Sequence, residues 1–372
     1  MIRVVLAEDS PTTREYLLWL LGAHPGLAVV AVAGDGDEAV EQVADARPDV
    51  VLMDVYMPRQ NGYAATRAMM ERTPTPIVLM SASFEPNEVD MTFEALQAGA
   101  LAVVQKPAGP AQTDDACARR LIDTVRLMSE VRVVHRWSAR GQGIRDGGME
   151  LEAPGTWNLS PQTSSATSNL RVIAMGASTG GPGALMQVLG SLPPTLRAAV
   201  LIAQHITPGF ASGFADWLGR TSGRPVKLAA HEDQIAPGVV YVAPDGAHLG
   251  LHASGRIQLS QAEVEGGSCP SATHLFRSVA HAYGRSAAGV LLTGMGRDGA
   301  AGLLELRRAG GTTIAQDDQS SIVYGMPGEA VRLGAAMHVL PPDQIGRLLG
   351  ALDARRTEQA AKTGGRNGSR GE

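Results

Sequence analysis

Residues 171–181 read Arg171-Val172-Ile173-Ala174-Met175-Gly176-Ala177-Ser178-Thr179-Gly180-Gly181. The apolar run Val172–Met175 shows no polar alternation, as expected of a strand buried on both faces in a parallel sheet. The glycines after it permit a tight turn, and Gly183–Leu192 then carries a helical pattern. The same alternation of short apolar runs and amphipathic stretches extends outward in both directions. Downstream the runs are Ala199–Ala203, Val226–Ala229, Gly289–Leu292, Thr312–Ala315 and Met337–Leu340. Upstream they are Ile2–Leu6, Leu27–Ala33, Asp49–Met53, Ile77–Met80 and Leu101–Val104. Pro11–Leu21 reads as a helix with Ser10 as N-cap and Pro11 at its first position.

The expected fold class is therefore α/β, with two doubly wound parallel-sheet domains. A flavodoxin-like domain is assigned to residues 1–128 and a Rossmann-like domain to residues 169–355. Gly238–Ser260 departs from the pattern. Val239–Ala243, a turn at Asp245-Gly246, His248–His252, a turn at Ser254-Gly255 and Ile257–Leu259 predict an antiparallel excursion. Residues 129–168 contain Gly141-Gln142-Gly143, Gly147-Gly148 and the Ser/Thr/Pro-rich run Ser160–Ser168, and read as a linker. Residues 356–372 are expected to form a disordered tail.

Bulk properties narrow the function classes. The chain has 372 residues, of which 44% are hydrophobic but only 4% aromatic, so its cores must be largely aliphatic. A formal net charge of −5 gives no support for a general nucleic-acid or anionic-membrane binder. Cys117 and Cys269 make neither a disulfide framework nor a metal-ligand spacing. No apolar run approaches the roughly 20 residues of a membrane span, and Met1–Leu6 runs straight into an acidic pair rather than a signal-peptide core. A cytoplasmic protein without membrane insertion is expected.

In open parallel sheets, function gathers beyond the carboxyl ends of the strands. In the first domain Glu8 and Asp9 follow the first strand, Asp54 the third, Ser81 the fourth and Lys106 the fifth. An acidic residue such as Glu8, taken alone, reads better as a helix cap. Three carboxylates on one edge, however, repel one another unless a cation neutralises them. Oxygen ligands of this kind suit Mg²⁺. A carboxylate beside Mg²⁺, a lysine and a hydroxyl is suited to accept a phosphoryl group, because metal and lysine offset the charge on the transferring oxygens.

In the second domain Gly176-Ala177-Ser178-Thr179-Gly180 fits the G-x-S-x-G nucleophile pattern. A dinucleotide turn is the competing reading of the same glycines, although Pro193–Ala203 offers no acidic ribose ligand. A serine nucleophile needs a base and an orienting acid. Asp298, in Gly294-Met295-Gly296-Arg297-Asp298-Gly299, lies beyond a strand end. For the base, His205 after Gln204 and His231 beside Glu232-Asp233 both qualify.

Residues 1–128 resemble a response-regulator receiver domain, through Asp54-Val55-Tyr56-Met57-Pro58 and Gly62. The resemblance implies Asp54 as phospho-acceptor, Glu8, Asp9 and Asp54 as Mg²⁺ ligands, Ser81 as switch hydroxyl and Lys106 as phosphate contact. Val103 stands where many receivers carry an aromatic switch residue. Residues from about 170 to 350 resemble the CheB family of chemotaxis protein-glutamate methylesterases. The matching segments are Gly176–Gly181, Gln204-His205, Tyr241-Val242-Ala243-Pro244, Leu292–Gly299 and Val323-Tyr324-Gly325-Met326-Pro327. That resemblance implies a triad of Ser178, His205 and Asp298, with Thr179 and Met295 beside the active site. It further implies hydrolysis of glutamate γ-methyl esters on chemoreceptor helices, deamidation of glutamines, a chemotaxis histidine kinase as phosphodonor, and no cofactor for the esterase step. Ala272-Thr273 departs from the family's usual Val-Asp, which bears on substrate preference.

Overall fold

The computed structural model describes residues 1–81, 86–107, 116–131, 133, 170–261 and 268–364. Most of the expected linker, and the last eight residues of the expected tail, lie outside them.

The first domain runs β1 (Ile2–Ala7), α1 (Pro11–Gly22), β2 (Leu27–Ala33), α2 (Gly36–Ala46), β3 (Val50–Asp54), α3 (Gly62–Arg72), β4 (Ile77–Ser81), α4 (Pro86–Ala98), β5 (Ala102–Gln105) and α5 (Ala116–Met128). Its strands pair in parallel in the order β2-β1-β3-β4-β5. Polar side chains start the helices cleanly. Ser10, Asp35 and Asn61 each accept a backbone N–H from the first turn of the helix they precede. The sheet is buried on both faces, with Val4, Leu6, Val50, Leu52 and Val78 toward one helical layer and Val5, Val51, Met53, Ile77 and Leu79 toward the other.

The second domain runs β6 (Val172–Ala177), α6 (Gly181–Ser191), β7 (Ala199–Gln204), α7 (Ala211–Ser222), β8 (Val226–Leu228), β9 (Val240–Val242), β10 (His248–Leu251), β11 (Ile257–Ser260), α8 (Ala272–Tyr283), β12 (Ala287–Leu291), α9 (Ala300–Arg308), β13 (Thr312–Gln316), α10 (Met326–Arg332), β14 (His338–Leu340) and α11 (Pro342–Gly364). A seven-stranded sheet is ordered β14-β13-β12-β6-β7-β9-β8. β6 is thus flanked by β7, its successor through α6, and by β12, which returns from the far end of the sequence. That reversal is the switch point at which a parallel sheet opens a crevice.

Three expectations are corrected. Residues 239–243 do not join the antiparallel excursion: β9 enters the main sheet in parallel between β7 and β8. Val240, Tyr241 and Val242 are all buried, so the segment has no solvent face to turn outward. Only β10 and β11 form the antiparallel pair, packed on α8. The helix after the glycine turn begins at Gly181, two residues earlier than its apolar pattern, because Pro182 is accommodated in the first turn. The domain boundary expected at residue 355 falls inside α11, which continues to Gly364 through the good helix formers Glu358, Gln359, Ala360 and Ala361.

α11 is tied to the sheet by a buried acid. Asp353 accepts the backbone N–H of Arg197 at 2.9 Å and of Ala198 at 3.1 Å, immediately before β7. Removing the carboxylate leaves two donors unpaired, at a cost of about 1–3 kcal/mol. Asp353→Ala is expected to lower the urea midpoint of unfolding accordingly, and Asp353→Asn, which keeps one acceptor, to recover part of the loss.

Candidate active site

In the first domain the strand ends bring the expected acidic cluster together. One ligand atom each of Glu8, Asp9 and Asp54 lie within 4.8 Å of one another. Lys106 Nζ lies 2.5 Å from Asp54 Oδ2 and 3.0 Å from Glu8 Oε2. One ammonium therefore serves two buried carboxylates. Burial, and to a smaller extent Glu8, push the Asp54 carboxyl up to about 6 against the pull of Lys106. Burial works to lower Lys106, but Asp54 and Glu8 overcome it and keep the lysine charged. Both Glu8 oxygens lean on that one ammonium, which donates to Oε1 at 3.3 Å and lies in ion-pair contact with the buried Oε2. A second cation fits this surplus of negative charge, and the all-oxygen donor set suits Mg²⁺. Ser81 closes the edge as the last residue of β4.

In the second domain β6 and β7 run in register to their carboxyl ends, with Ala177 opposite Gln204. The next residues of the two strands, Ser178 and His205, consequently emerge side by side, and His205 N–H donates to Ala177 O at 2.9 Å. The Gln204 side-chain amide reinforces the junction, donating to Ser178 O at 2.9 Å and to His205 O at 2.8 Å. Gly180 adopts φ +75°, and a Cβ there would come within 2.8 Å of Ile322. Gly294 is equally constrained, since a Cβ there would meet Ser178 Cβ at 2.6 Å. These glycines let three chain segments converge on one serine. Thr293 locks the crossing, its hydroxyl donating to Thr179 O at 2.9 Å.

Asp298 approaches from the β12 side. His205 Nε2 lies 2.8 Å from Asp298 Oδ2, and the carboxylate also accepts N–H groups from Ala272 and Thr273 and the Ser271 hydroxyl. Burial would raise this carboxyl, but the His205 hydrogen bond and charge, with Thr273, hold it well below the usual carboxylate range. It stays an anion at any working pH. Ser178, Thr179 and His205 open into a cavity of about 440 Å³. Met295, 51% exposed, stands on the loop between β12 and Asp298.

The competing base is placed elsewhere. His231 follows β8, the edge strand, with β9 and β7 between it and β6. Its ring is exposed and accepts Leu259 N–H at 3.1 Å, beside Glu232. His338 sits in the opposite edge strand. Thr273, the departure noted in sequence, is buried, and its hydroxyl accepts Gly299 N–H at 2.7 Å. It braces the turn after Asp298.

The cavity has a second wall whose residues sequence reasoning did not name. It is lined by Phe93, Leu96, Val103, Arg120 and Met128 of the first domain. Phe93 of α4 is 1% exposed and inserts among Phe210, Phe214 and Trp217, its ring 5.3 Å from the last two. Thr207, two residues after His205, donates its hydroxyl to Val103 O at 3.1 Å. An isolated phenylalanine in a helical pattern carries no signal that its partner is another domain.

Comparison with known proteins agrees with both halves. Residues 173–349 match the family model described as CheB methylesterase, and residues 4–118 match the response regulator receiver domain. A protein-glutamate methylesterase/protein-glutamine glutaminase of Syntrophus aciditrophicus is 49% identical over 349 residues, 94% of this chain and 97% of its own. One from Nitrosospira multiformis is 47% identical, over 96% of this chain and 99% of its own. The chain belongs to the CheB family. Among solved structures, the CheB methylesterase catalytic domain of Thermotoga maritima is 35% identical, with a TM-score of 0.48 over 49% of this chain and 98% of that one. The CheB relatives span both domains of this chain, so receiver and methylesterase belong to one continuous architecture. Among the described residues no helix is long and apolar enough to cross a membrane.

Proposed function

We propose that this chain is a phosphorylation-activated serine hydrolase that demethylates glutamate γ-methyl esters, and deamidates glutamines, on the cytoplasmic helices of chemoreceptors. The curated relatives carry both activities in their names across nearly the whole length of the chain. The observation that carries the mechanism is the convergence of Ser178 and His205 at the ends of paired strands, with Asp298 2.8 Å from His205.

With Nε2 directed at Asp298, Nδ1 of His205 is the nitrogen left to take the Ser178 proton. Ser178 Oγ then attacks the ester carbonyl, and the oxyanion is received by backbone N–H groups around Thr179, at the start of α6. Met295 borders the reacting ester. His205 returns the proton to the departing methanol, leaving a glutamyl ester on Ser178. Water, deprotonated by His205, releases the glutamate carboxylate and restores the serine. A glutamine follows the same route with ammonia as leaving group. Asp298 holds the imidazole orientation and stabilises its protonated form throughout.

Receiver control follows from the shared cavity. Its volume has room for a side chain, whereas a receptor helix about 10–12 Å across must displace the receiver elements that wall it. A chemotaxis histidine kinase supplies the phosphoryl group to Asp54. Glu8, Asp9 and Asp54 would hold Mg²⁺, which neutralises charge on the transferring oxygens. Lys106 contacts the phosphate, and Ser81 is placed at the neighbouring strand end for the switch. Phosphorylation shifts the population toward an arrangement in which α4 and β5 leave the cavity.

Two measurements test the reading. With methanol release from methylated receptor as readout, Ser178→Ala and His205→Gln are each expected to lower kcat by at least about 10³-fold, and the double variant to be scarcely worse than either. His231→Gln is expected to stay within about tenfold of the parent. An inactive His231 variant beside a near-normal His205 variant would overturn the triad. For control, acetyl phosphate with Mg²⁺ is expected to raise the activity of the full chain, and Asp54→Ala to abolish the response. Phe93→Ala, which loosens the aromatic contact, should raise activity without phosphodonor. Unchanged basal activity in that variant would remove Phe93 from the gate.

A further inference from the structure

Asp298 is gripped from behind as well as from the His205 side. Ser271 Oγ donates to Oδ1 at 2.9 Å and Thr273 N–H to the same oxygen at 3.0 Å, while Ala272 N–H reaches Oδ2 at 2.7 Å. Two of these donors are backbone groups of the first turn of α8. The third is the Ser271 hydroxyl, so this donation can be removed by substitution, while the Thr273 side chain, which also helps hold Asp298 low, stays in place. Its own freedom is almost nil. The residue is 1% exposed, its hydroxyl accepts His274 N–H at 3.2 Å, and its backbone N–H donates to Nδ1 of the buried His248 at 3.1 Å. With its backbone fixed by His248 and its hydroxyl engaged on both sides, that proton has one direction, toward Asp298.

We propose that Ser271 is a positioning residue for the hydrolytic reaction, its hydroxyl fixing the rotation of the Asp298 carboxylate and through it the orientation of His205. The inference rests on the triad reading above. It also has an electrostatic consequence. A hydroxyl donated to Oδ1 draws charge away from the carboxylate and so tempers its hold on protonated His205. Without that donor the imidazolium is held more firmly, and the acid-side fall of the kcat/KM profile moves to higher pH. Lost orientation lowers kcat, while contacts of the receptor helix at the cavity mouth leave KM in place.

Other titratable groups face this region. His248 of β10 and His274 of α8 lie behind Ser271 with their rings 5.3 Å apart. Burial, then His248 and Arg277, hold His274 below its ordinary value. Cys269 and, from α5, Arg120 line the cavity, and burial pushes the Cys269 thiol up. Arg297 precedes Asp298 in the chain. Replacing the Ser271 hydroxyl removes none of these side chains, so a moved acid limb reports on the Asp298–His205 pair.

The test compares Ser271→Ala, Ser271→Gly and Ser271→Thr in the full chain, treated with acetyl phosphate and Mg²⁺. Methanol release from methylated receptor is followed across pH, and thermal melts confirm folding. Alanine and glycine are expected to lower kcat about tenfold with KM unchanged and the acid limb raised. Threonine, which keeps the hydroxyl, is expected to stay near the parent. Glycine separates the roles, because it retains most of the N-cap stability that alanine loses. Parent kcat and acid limb in both Ala and Gly variants would overturn the proposal. So would a loss with alanine that glycine repairs, or a loss confined to KM. Ser178→Ala is assayed alongside. Methanol release by that variant sinks the triad itself, whereas an inert Ser178→Ala beside parent-like Ser271 variants sinks the Ser271 role alone.

Discussion

The hydrogen bond from His205 N–H to Ala177 O, 2.9 Å long, is the last rung of the β6–β7 ladder, and the active site depends on it. Parallel register makes Ser178 and His205 neighbours although 27 positions separate their numbers in the chain. A slip of one residue would turn every side chain of the strand to the other face. Here that would carry Ile173 and Met175 out of one core layer and Ala174 out of the other. The hydrophobic layers above and below the sheet thus fix the alignment of Ser178 and His205, the proposed nucleophile and base. Gln204, with its amide on both turn carbonyls, extends the same constraint one residue past the ladder.

Asp298 obeys a different rule. It comes from the strand on the other side of β6, so the crevice between β7 and β12 is where base and acid can meet. Its carboxylate lies at the N-terminus of α8, where free N–H groups and the helix dipole favour an anion. The helix therefore supplies the electrostatic work of keeping a largely buried acid ionised, and His205 need supply only part of it. The receiver solves the equivalent problem less completely. Glu8 and Asp54 share one lysine, which leaves an excess of negative charge at the strand ends.

Most of this was legible in the residues. The apolar runs named eleven of the parallel strands to within two residues at their N-terminal ends, because strands buried on both faces cannot hide in composition. The strand-end rule then nominated Glu8, Asp54, Lys106, Ser178, His205 and Asp298. Pattern reasoning alone could not choose between His205 and His231. Both follow apolar runs, and the difference is strand order: β7 adjoins β6, whereas β8 is three places away. Order in a parallel sheet is set by crossover packing, which has no local sequence signature. The misplacement of Val239–Ala243 has the same origin, since a short apolar run reads identically in either direction of pairing. Ser271 carries no signal of its own in the sequence, standing just before the Ala272-Thr273 departure. Its role depends on α8 starting against Asp298, a contact across 27 residues.

The position of Val103 joins the two domains' chemistry. It lies three residues before Lys106 on β5, and its carbonyl accepts the hydroxyl of Thr207, two residues after His205. From carboxylate cluster to base there is thus an unbroken path of short covalent spans and hydrogen bonds. A path is not by itself coupling, which requires an element with two arrangements that both ends bias. The α4–β5 face is where the receiver meets the catalytic domain, and so is where such an element would act. Its hold on the catalytic domain includes the Phe93 ring, the aliphatic side chains Leu96 and Val103 packed against the same core, and one hydrogen bond to a backbone carbonyl, and none of these requires an aromatic at position 103. A backbone acceptor is indifferent to side-chain identity, so the valine in that place leaves the contact intact.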